Sequence, residues 1–443
     1  LFGIQTSAPL AFPVPMPKPR TAKTAPPVNS TAPSASNALP GAQTQRFQAK
    51  REAILGAAAT LFNQQGVKGT TLADIASSVG LVTNSVTYYY RKKEDLATAC
   101  FLRAIEVFNA VVGKAALERT VQARLQSLLH QYAELLAGIE TGQHPPMIIF
   151  SDLRALPSPQ VDEVFHAYTE MFRHVRGLIQ MPETAHWSRA DANARTHMVM
   201  SVVHGLRGWI GRYEAEEYTR IADRVTDILM NGMQAKGSRW PTGHIEYDWH
   251  LEHATEGASE PFLRVATELV NEQGYRGASV DKISARLNVT KGSFYHHNDN
   301  KQDLISACFD RTFSVLRRGL SLAESSTGSG WDRACAATRA LTCFQLSAQG
   351  PLLRITATSA LPDQVQRNRV RRTMHSLTER MVSVIVDGMM DGSIRPLDPG
   401  VAAQIAVGVI NAAVELPRWV QGVNENVVAD LYVRPVFVGF LSH

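Results

Sequence analysis

At 443 residues the chain is long enough to bury the cores of two or three ordinary domains, which excludes a single small domain. Its 44% hydrophobic and 19% charged content predicts a soluble globular protein, and no unbroken apolar run approaches the ~18 residues of a membrane span. The net charge of +5 permits a nucleic-acid partner without demanding one, and Cys100, Cys308, Cys335 and Cys343 show no CxxC spacing, which argues against a zinc ribbon or a disulfide scaffold.

Residues 1–45 are rich in Pro, Ala, Ser and Thr. Pro9, Pro13, Pro15, Pro17 and Pro19 lie too close together for a helix or a central strand, so a disordered tail is expected. With Lys18, Arg20 and Lys23 and no acidic residue, the tail leaves a transit peptide open, although weak non-specific attraction to DNA is the plainer reading. The basic stretch that follows, 46–103, contains Arg46, Lys50, Arg51, Lys68, Arg91, Lys92, Lys93 and Arg103. Ile54, Leu55, Ala58, Leu61 and Phe62 form an apolar helical stripe that Gly66 should end. Thr71 and Asp74 read as a capping box for a short second helix whose buried side is Leu72, Ile75, Ala76 and Val79. Gly80 marks a turn, a third helix starts near Thr83, and a longer one follows the basic run at 91–93.

The same pattern returns about 208 residues later. Ala58, Asn63, Gln65, Gly66, Gly69, Ile75, Ser85, Lys93, Asp95, Leu96, Cys100 and Phe101 have identical partners at Ala266, Asn271, Gln273, Gly274, Gly277, Ile283, Ser293, Lys301, Asp303, Leu304, Cys308 and Phe309. Further on, Ala155-Leu156-Pro157 is answered by Ala360-Leu361-Pro362, and Gly211-Arg212-Tyr213 by Pro417-Arg418-Trp419. A duplication therefore spans 46–236 and 259–443, with 237–258 as a Gly- and Pro-containing linker. The predicted fold is all-α: each repeat is a three-helix head (46–103 and 259–310) followed by a helical bundle (104–236 and 311–443).

Two short helices joined by a tight turn form a helix-turn-helix, which lays its second helix in the major groove. That helix needs polar residues near its N-terminus for base edges and an apolar underside to hold it. In the second repeat Thr290-Lys291-Gly292-Ser293-Phe294-Tyr295-His296-His297 has this composition, followed by Lys301. The stretch resembles the tetracycline-repressor (TetR) family, whose signature runs Gly-Val-Ser-Lys-Gly-Thr-Leu-Tyr, with Asn288 in place of the turn glycine. The first repeat is similar to the same family and keeps Gly80, but Val82, Thr83, Asn84 and Thr87 replace the usual capping hydroxyl, lysine, glycine and tyrosine. The candidate DNA-binding residues are Thr71, Thr83, Asn84, Ser85, Thr87, Tyr88, Tyr89 and Lys93 in the first head. In the second they are Ser279, Thr290, Lys291, Gly292, Ser293, Tyr295, His296, His297 and Lys301.

The resemblance implies that the bundles bind a small-molecule effector and dimerise through their last two helices, here Asp191–Tyr213 with Tyr218–Met233 and Val401–Trp419 with Glu425–Leu441. It also implies a cytoplasmic, nucleoid-associated repressor of double-stranded operator DNA. A covalent tandem predicts an intramolecular pseudo-dimer, with a homodimer of chains left open. Candidate pocket residues are Phe150, Phe165, Tyr168, Phe172 and Trp209 in the first bundle, and Phe344, Arg354, Met374 and Trp419 in the second, set against the plainer reading that such aromatics are core.

The run Arg367, Arg369, Arg371 and Arg372 reads as a solvated helix face, and Asp152 with Arg154 as a helix-face pair. His244, His250 and His253 lack the cysteine or carboxylate partners of a metal site, and no cofactor or membrane partner is expected. No catalytic motif such as G-x-S-x-G, a P-loop or H-E-x-x-H occurs, so an enzyme is the weaker alternative. An interaction module descended from a regulator is the other.

Overall fold

A polar, alanine-rich stretch opens the first helix, α1 (Pro40–Gln65), so residues 40–45 of the expected tail are helical. Pro40 stands at its start, where a missing N–H costs nothing. The computed structural model describes residues 40–242, 249, 260–292, 300–361 and 363–442. The chain divides into two units, Leu1–Phe47 and Gln48–His443. The first is described only from Pro40 on, as the opening turns of α1; everything below belongs to the second.

Gly66, with φ of 72°, ends α1, and a single 3-10 turn leads to α2 (Leu72–Ser78) and α3 (Thr83–Tyr89). Ile54, Leu55, Ala58 and Phe62 are buried against Ile75, Ala76 and Val86, as their spacing predicts. The bundle of the first repeat is α4 (Lys93–Ala115), α5 (Val121–Glu140), α6 (Gln160–Ile179), α7 (Arg189–Trp209) and α8 (Tyr218–Asn231), with a 3-10 turn at Phe150–Ala155. The second repeat restates this as α9 (Glu260–Gly277), α10 (Val280–Leu287), α11 (Lys301–Glu324), α12 (Gly330–Leu346), α13 (Gln364–Met390), α14 (Pro399–Ala412) and α15 (Arg434–Val438). Its own 3-10 turn is Ile355–Ala360. The described residues contain no strand, only an isolated antiparallel bridge between Gln234 and Ile394.

The duplication reaches individual hydrogen bonds. Asn63 donates to the Met147 carbonyl at 2.8 Å and accepts from the Ile149 N–H at 2.8 Å, and Asn271 does the same with Leu352 (2.9 Å) and Arg354 (3.0 Å). Arg103 donates to the Pro146 carbonyl and pairs with Glu52, just as Arg311 does with Pro351 and Glu260. Cys100 and Cys308 both reach a carbonyl of the first helix of their repeat, at Leu55 and Leu263. In each repeat one amide and one guanidinium therefore tie the head to its bundle. Because these groups satisfy otherwise lone backbone atoms, removing either would leave them unpaired.

The repeats meet along α7 and α8 on one side and α14 and α15 on the other. Met233 donates to the Phe437 carbonyl at 2.7 Å, Phe440 to that of Leu229 at 2.9 Å, and Arg195 to those of Phe440 and Ser442 at 2.9 Å each. His197 Nδ1 lies 2.8 Å from the Tyr432 hydroxyl, Arg395 pairs with Asp227 at 2.8 Å, and Arg224 pairs with Asp398. Gly232, at φ of +66°, lets the backbones of 232 and 437–439 touch, since a Cβ there would be driven into the Phe437 carbonyl. The described part of the linker is pinned to the second repeat. Trp240 donates to Asp430 at 2.6 Å, and the Arg239 carbonyl accepts from the Trp331 indole at 2.8 Å.

Two segments, Lys93–Ala115 and Pro399–Arg418, are long and apolar enough by length and composition to cross a membrane, which a search for unbroken apolar runs overlooks. Half of each is buried inside the structure, α4 against α5 and α6, and α14 against α7 and α13. They serve here as core helices.

Candidate nucleic-acid interface and ligand pocket

In the first head, Thr71 closes a full capping box with Asp74. Its hydroxyl accepts from the Asp74 N–H at 3.1 Å, and the Asp74 carboxylate accepts from the Thr71 N–H at 2.9 Å. The Thr71 hydroxyl also donates to that carboxylate at 2.7 Å, and this bond, then the one from the Thr71 N–H, holds the Asp74 carboxyl below its usual range. Thr83 and Asn84 are exposed on the first turn of α3, Ser85 and Thr87 are half-buried, and Val86 anchors the helix from beneath. The Thr87 hydroxyl is engaged with the Asn84 carbonyl at 3.1 Å. Val82 caps α3 without a side-chain bond and is 70% exposed, as the missing hydroxyl predicts. Tyr88, 77% exposed, stands edge-on to the half-buried Tyr89. Lys93 turns inward, with Nζ donating to the carbonyls of Lys68 (3.3 Å) and Thr70 (3.1 Å), so its charge is anchored at the edge of the head.

In the second head Ser279 caps α10, accepting from the Lys282 N–H at 3.3 Å. Asn288 adopts φ of 54° at the end of α10, the left-handed geometry that Gly80 supplies at φ of 66° in the first head. Asparagine tolerates this geometry better than most residues, so the turn survives its departure from glycine. Thr290, Lys291 and Gly292 are exposed where the next helix begins, and Lys291 pairs with Asp281 at 2.5 Å. Lys301 is half-buried at the start of α11. Ser293, Tyr295, His296 and His297 lie outside the described residues, as do His244, His250 and His253.

Of the expected pocket residues the structure brings five together. Phe150 meets Tyr168 at 5.3 Å between ring centroids, Tyr168 meets Trp419 at 6.2 Å, and Trp419 stacks on Phe172 at 3.8 Å. Arg354 is close enough to Tyr168 to act on its ionisation, although burial dominates and pushes the phenol up to about 12. Trp419 and Arg354 come from the second repeat, so this aromatic cluster of the first bundle is closed by the other half. Phe150, Tyr168 and Trp419 are each partly exposed. Phe165 is half-buried on α6, Trp209 faces Tyr213 at the far end of α7, Met374 is half-buried on α13, and Phe344 is buried beside Trp249.

Sequence reasoning missed three polar members of this cluster. His204 lies 5.2 Å from both Phe108 and Phe150, and its Nε2 has no hydrogen-bond partner among the described residues. Burial lowers its pKa to about 4. Arg154, expected as a helix-face pair with Asp152, instead donates to both oxygens of Glu415 at 2.8 and 2.9 Å and to the Asn271 carbonyl at 2.5 Å. Arg354 contacts the same Glu415 carboxylate. Burial, then the neighbouring Arg154 and Arg418, lowers Arg354 to about 9; burial and Arg154 lower Arg418 to about 10. Arg154 and Glu415 are 261 residues apart, and nothing local marks them as partners.

The remaining expectations resolve simply. Arg369 pairs with Asp310 at 2.9 Å, and Arg367 bonds Gln364 within its own helix, as a solvated face does. Cys100, Cys308 and Cys335 are buried and Cys343 half-buried. Burial pushes the first two thiols up to about 12 and Cys343 to about 11, which suits small hydrophobes better than thiolates.

The model of the bacterial regulatory proteins, tetR family, matches twice, at residues 54–100 and 262–308. The chain belongs to the TetR family. Both matched segments are the helix-turn-helix heads described above, so this is a TetR-family regulator carrying two family units in one all-α chain, and TetR regulators are transcription factors rather than enzymes. Among curated relatives, the Transposon Tn10 TetC protein of Escherichia coli is 33% identical over 82 residues, covering 18% of this chain and 41% of that protein. The HTH-type transcriptional repressor DhaR of Mycobacterium sp. (strain GP1) is 27% identical over 165 residues, 37% of this chain and 79% of DhaR. The match thus spans less than half of TetC's length but most of DhaR's. Among solved structures, apo AibR is similar at 23% identity and a TM-score of 0.34, covering 41% of this chain and 99% of AibR. The TetR-family regulator PfmR of Thermus thermophilus is similar at 18% identity and a TM-score of 0.35, over 40% of this chain and 97% of PfmR.

Proposed function

We propose that this TetR-family regulator is a repressor that reads double-stranded operator DNA as a one-chain pseudo-dimer and is released by a small-molecule effector. The observation that carries the reading is the seam of α7 and α8 against α14 and α15, which joins, within one chain, the helices that TetR relatives use to pair two chains. Paired heads must enter successive major grooves about 34 Å apart, and a seam fixed by backbone hydrogen bonds holds two heads in one relative position. Because the first head offers Val82, Thr83 and Asn84 where the second offers Thr290, Lys291 and Gly292, the operator has two unlike half-sites. Ser293, Tyr295, His296 and His297 complete the second head's reading set, and the protein acts in the cytoplasm on the nucleoid.

The turn Phe150–Ala155 supports coupling to an effector. It borders the aromatic cluster through Phe150, adjoins the Ile149 N–H that donates to Asn63 of the first head, and grips the Asn271 carbonyl of the second head through Arg154. A ligand that displaces this turn acts on both heads at once.

Selection of bound DNA from a random pool, with light scattering of the free protein and its complex, tests the proposal. One chain per site and an asymmetric two-part consensus are expected. A perfect palindrome bound by two chains would overturn it. A single half-site lacking any contribution from the first head would favour the second reading, a first head turned to protein contacts, which its inward Lys93 and exposed Val82 and Tyr88 favour.

A further inference from the structure

Two guanidinium groups, Arg154 and Arg354, converge from different repeats on one carboxylate, Glu415, and Arg418 stands close enough to both to act on them electrostatically. Glu272 is the other carboxylate in electrostatic reach, acting on Arg154 and Arg418. Three arginines thus share Glu415 and Glu272, the latter also held by Arg286 at 3.2 Å, in a partly buried setting where unbalanced charge is costly. Arginine's planar fork suits carboxylates in particular, and Glu415 shows that a carboxylate seats between these two. Arg354 and Arg154 lie within electrostatic reach of Tyr168, which packs on Phe150 and Trp419, and the unpartnered His204 Nε2 also stands beside Phe150.

We propose that the effector of this regulator is a carboxylate with an aromatic or acyl body, held in one composite site that both repeats build, its anion on Arg354 and Arg154 and its body against Phe150, Tyr168 and Trp419. The proposal rests on the effector-released reading given above. Among the described residues the second bundle has no equivalent. When the buried positions Val164, Met171, Val175 and Leu178 are matched to Val370, Leu377, Met381 and Val384, Tyr168 is answered by Met374, Phe172 by Thr378 and His204 by Ile410. One chain therefore binds one effector. Glu415 is the internal competitor that the ligand's carboxylate displaces or joins.

Calorimetric titration of the full chain with phenylacetate and octanoate, and with the neutral phenylacetamide and octanamide, tests the site. At least one carboxylate is expected to bind one per chain and about tenfold or more tighter than its amide. Arg354→Gln should erase that preference, Arg354→Lys should retain part of it, and Glu415→Gln should tighten carboxylate binding several-fold by removing the competitor. Glu415→Gln keeps the test open should Arg354→Gln fail to fold, since a purely structural ion pair would not give tighter binding when broken. Amides binding as tightly as the acids, two equivalents per chain, no carboxylate binding at millimolar concentration, or weaker carboxylate binding by Glu415→Gln would each overturn the site. A gel shift with the same acids separates the readings: carboxylate binding that leaves DNA affinity unchanged would overturn their role as effectors while the site itself stands.

Discussion

The two repeats share a fold and differ in what they kept. The second has the fuller family signature in its head, with Ser279 and Asn288 closing α10 and Lys291 exposed, but its bundle is filled with Met374, Ile410 and Ile355. The first has the altered head and the polar, aromatic interior of Tyr168, Phe172 and His204. Once two units are joined in one chain, DNA reading and ligand reading need not be equally good in both. In the one-chain pseudo-dimer proposed above, the seam would spare each unit the need to pair with an identical copy, so that selection could act on the halves separately.

The largest expected effect breaks the comparison at the seam. Gly232→Ala places a Cβ against the Phe437 carbonyl at a backbone angle that favours glycine, and should cost about 3 kcal/mol or more of unfolding free energy by urea titration. An unchanged denaturation midpoint would mean that the halves do not depend on this approach.

Next come the two amide clamps. Asn271→Ala and Asn63→Ala each strip a carbonyl and an N–H of their partner, and about 2 kcal/mol is expected for Asn271, which is the more buried. Asn63, half-buried, should cost less. The reverse order would show that the first joint carries more load than its burial implies.

Acid should act on the first repeat's side of the seam. Burial, then Arg354 and His204, lowers His197 to about 3, so the native state binds its proton less readily than the unfolded chain does. The contribution of neutral His197 is therefore complete above the unfolded value near 6.5 and is lost as pH falls toward 3, amounting to at most about 2 kcal/mol by pH 5. The drop in melting temperature between pH 7 and pH 5 should shrink in His197→Gln. A drop of undiminished size would place the acid sensitivity elsewhere.

The smallest effect repairs the first head. Val82→Thr restores a capping hydroxyl to α3 and should stabilise the chain by about 0.5–1 kcal/mol, read from the same urea titrations. No gain would mean that the turn holds residue 82 where a hydroxyl cannot reach the α3 N–H groups.

Much of this protein is local and was legible as such. Helical period placed Ile54, Leu55, Ala58 and Phe62 in the core, Thr71 and Asp74 declared their capping box, and the 208-residue recurrence foretold paired bonds as specific as those of Cys100 and Cys308. These follow from the chain alone because caps, turns and apolar stripes depend on residues a few positions apart. The effector pocket that the family resemblance implies pointed to aromatics such as Phe150 and Tyr168 without saying which would meet. Only tertiary structure decided that Trp419 stacks on Phe172, that Lys93 spends its charge on two carbonyls of its own head, and that Arg154 and Arg354 share Glu415. Such contacts join residues from some twenty to more than two hundred positions apart, and a buried ion pair is specified by the shape that excludes water around it, which no local pattern encodes.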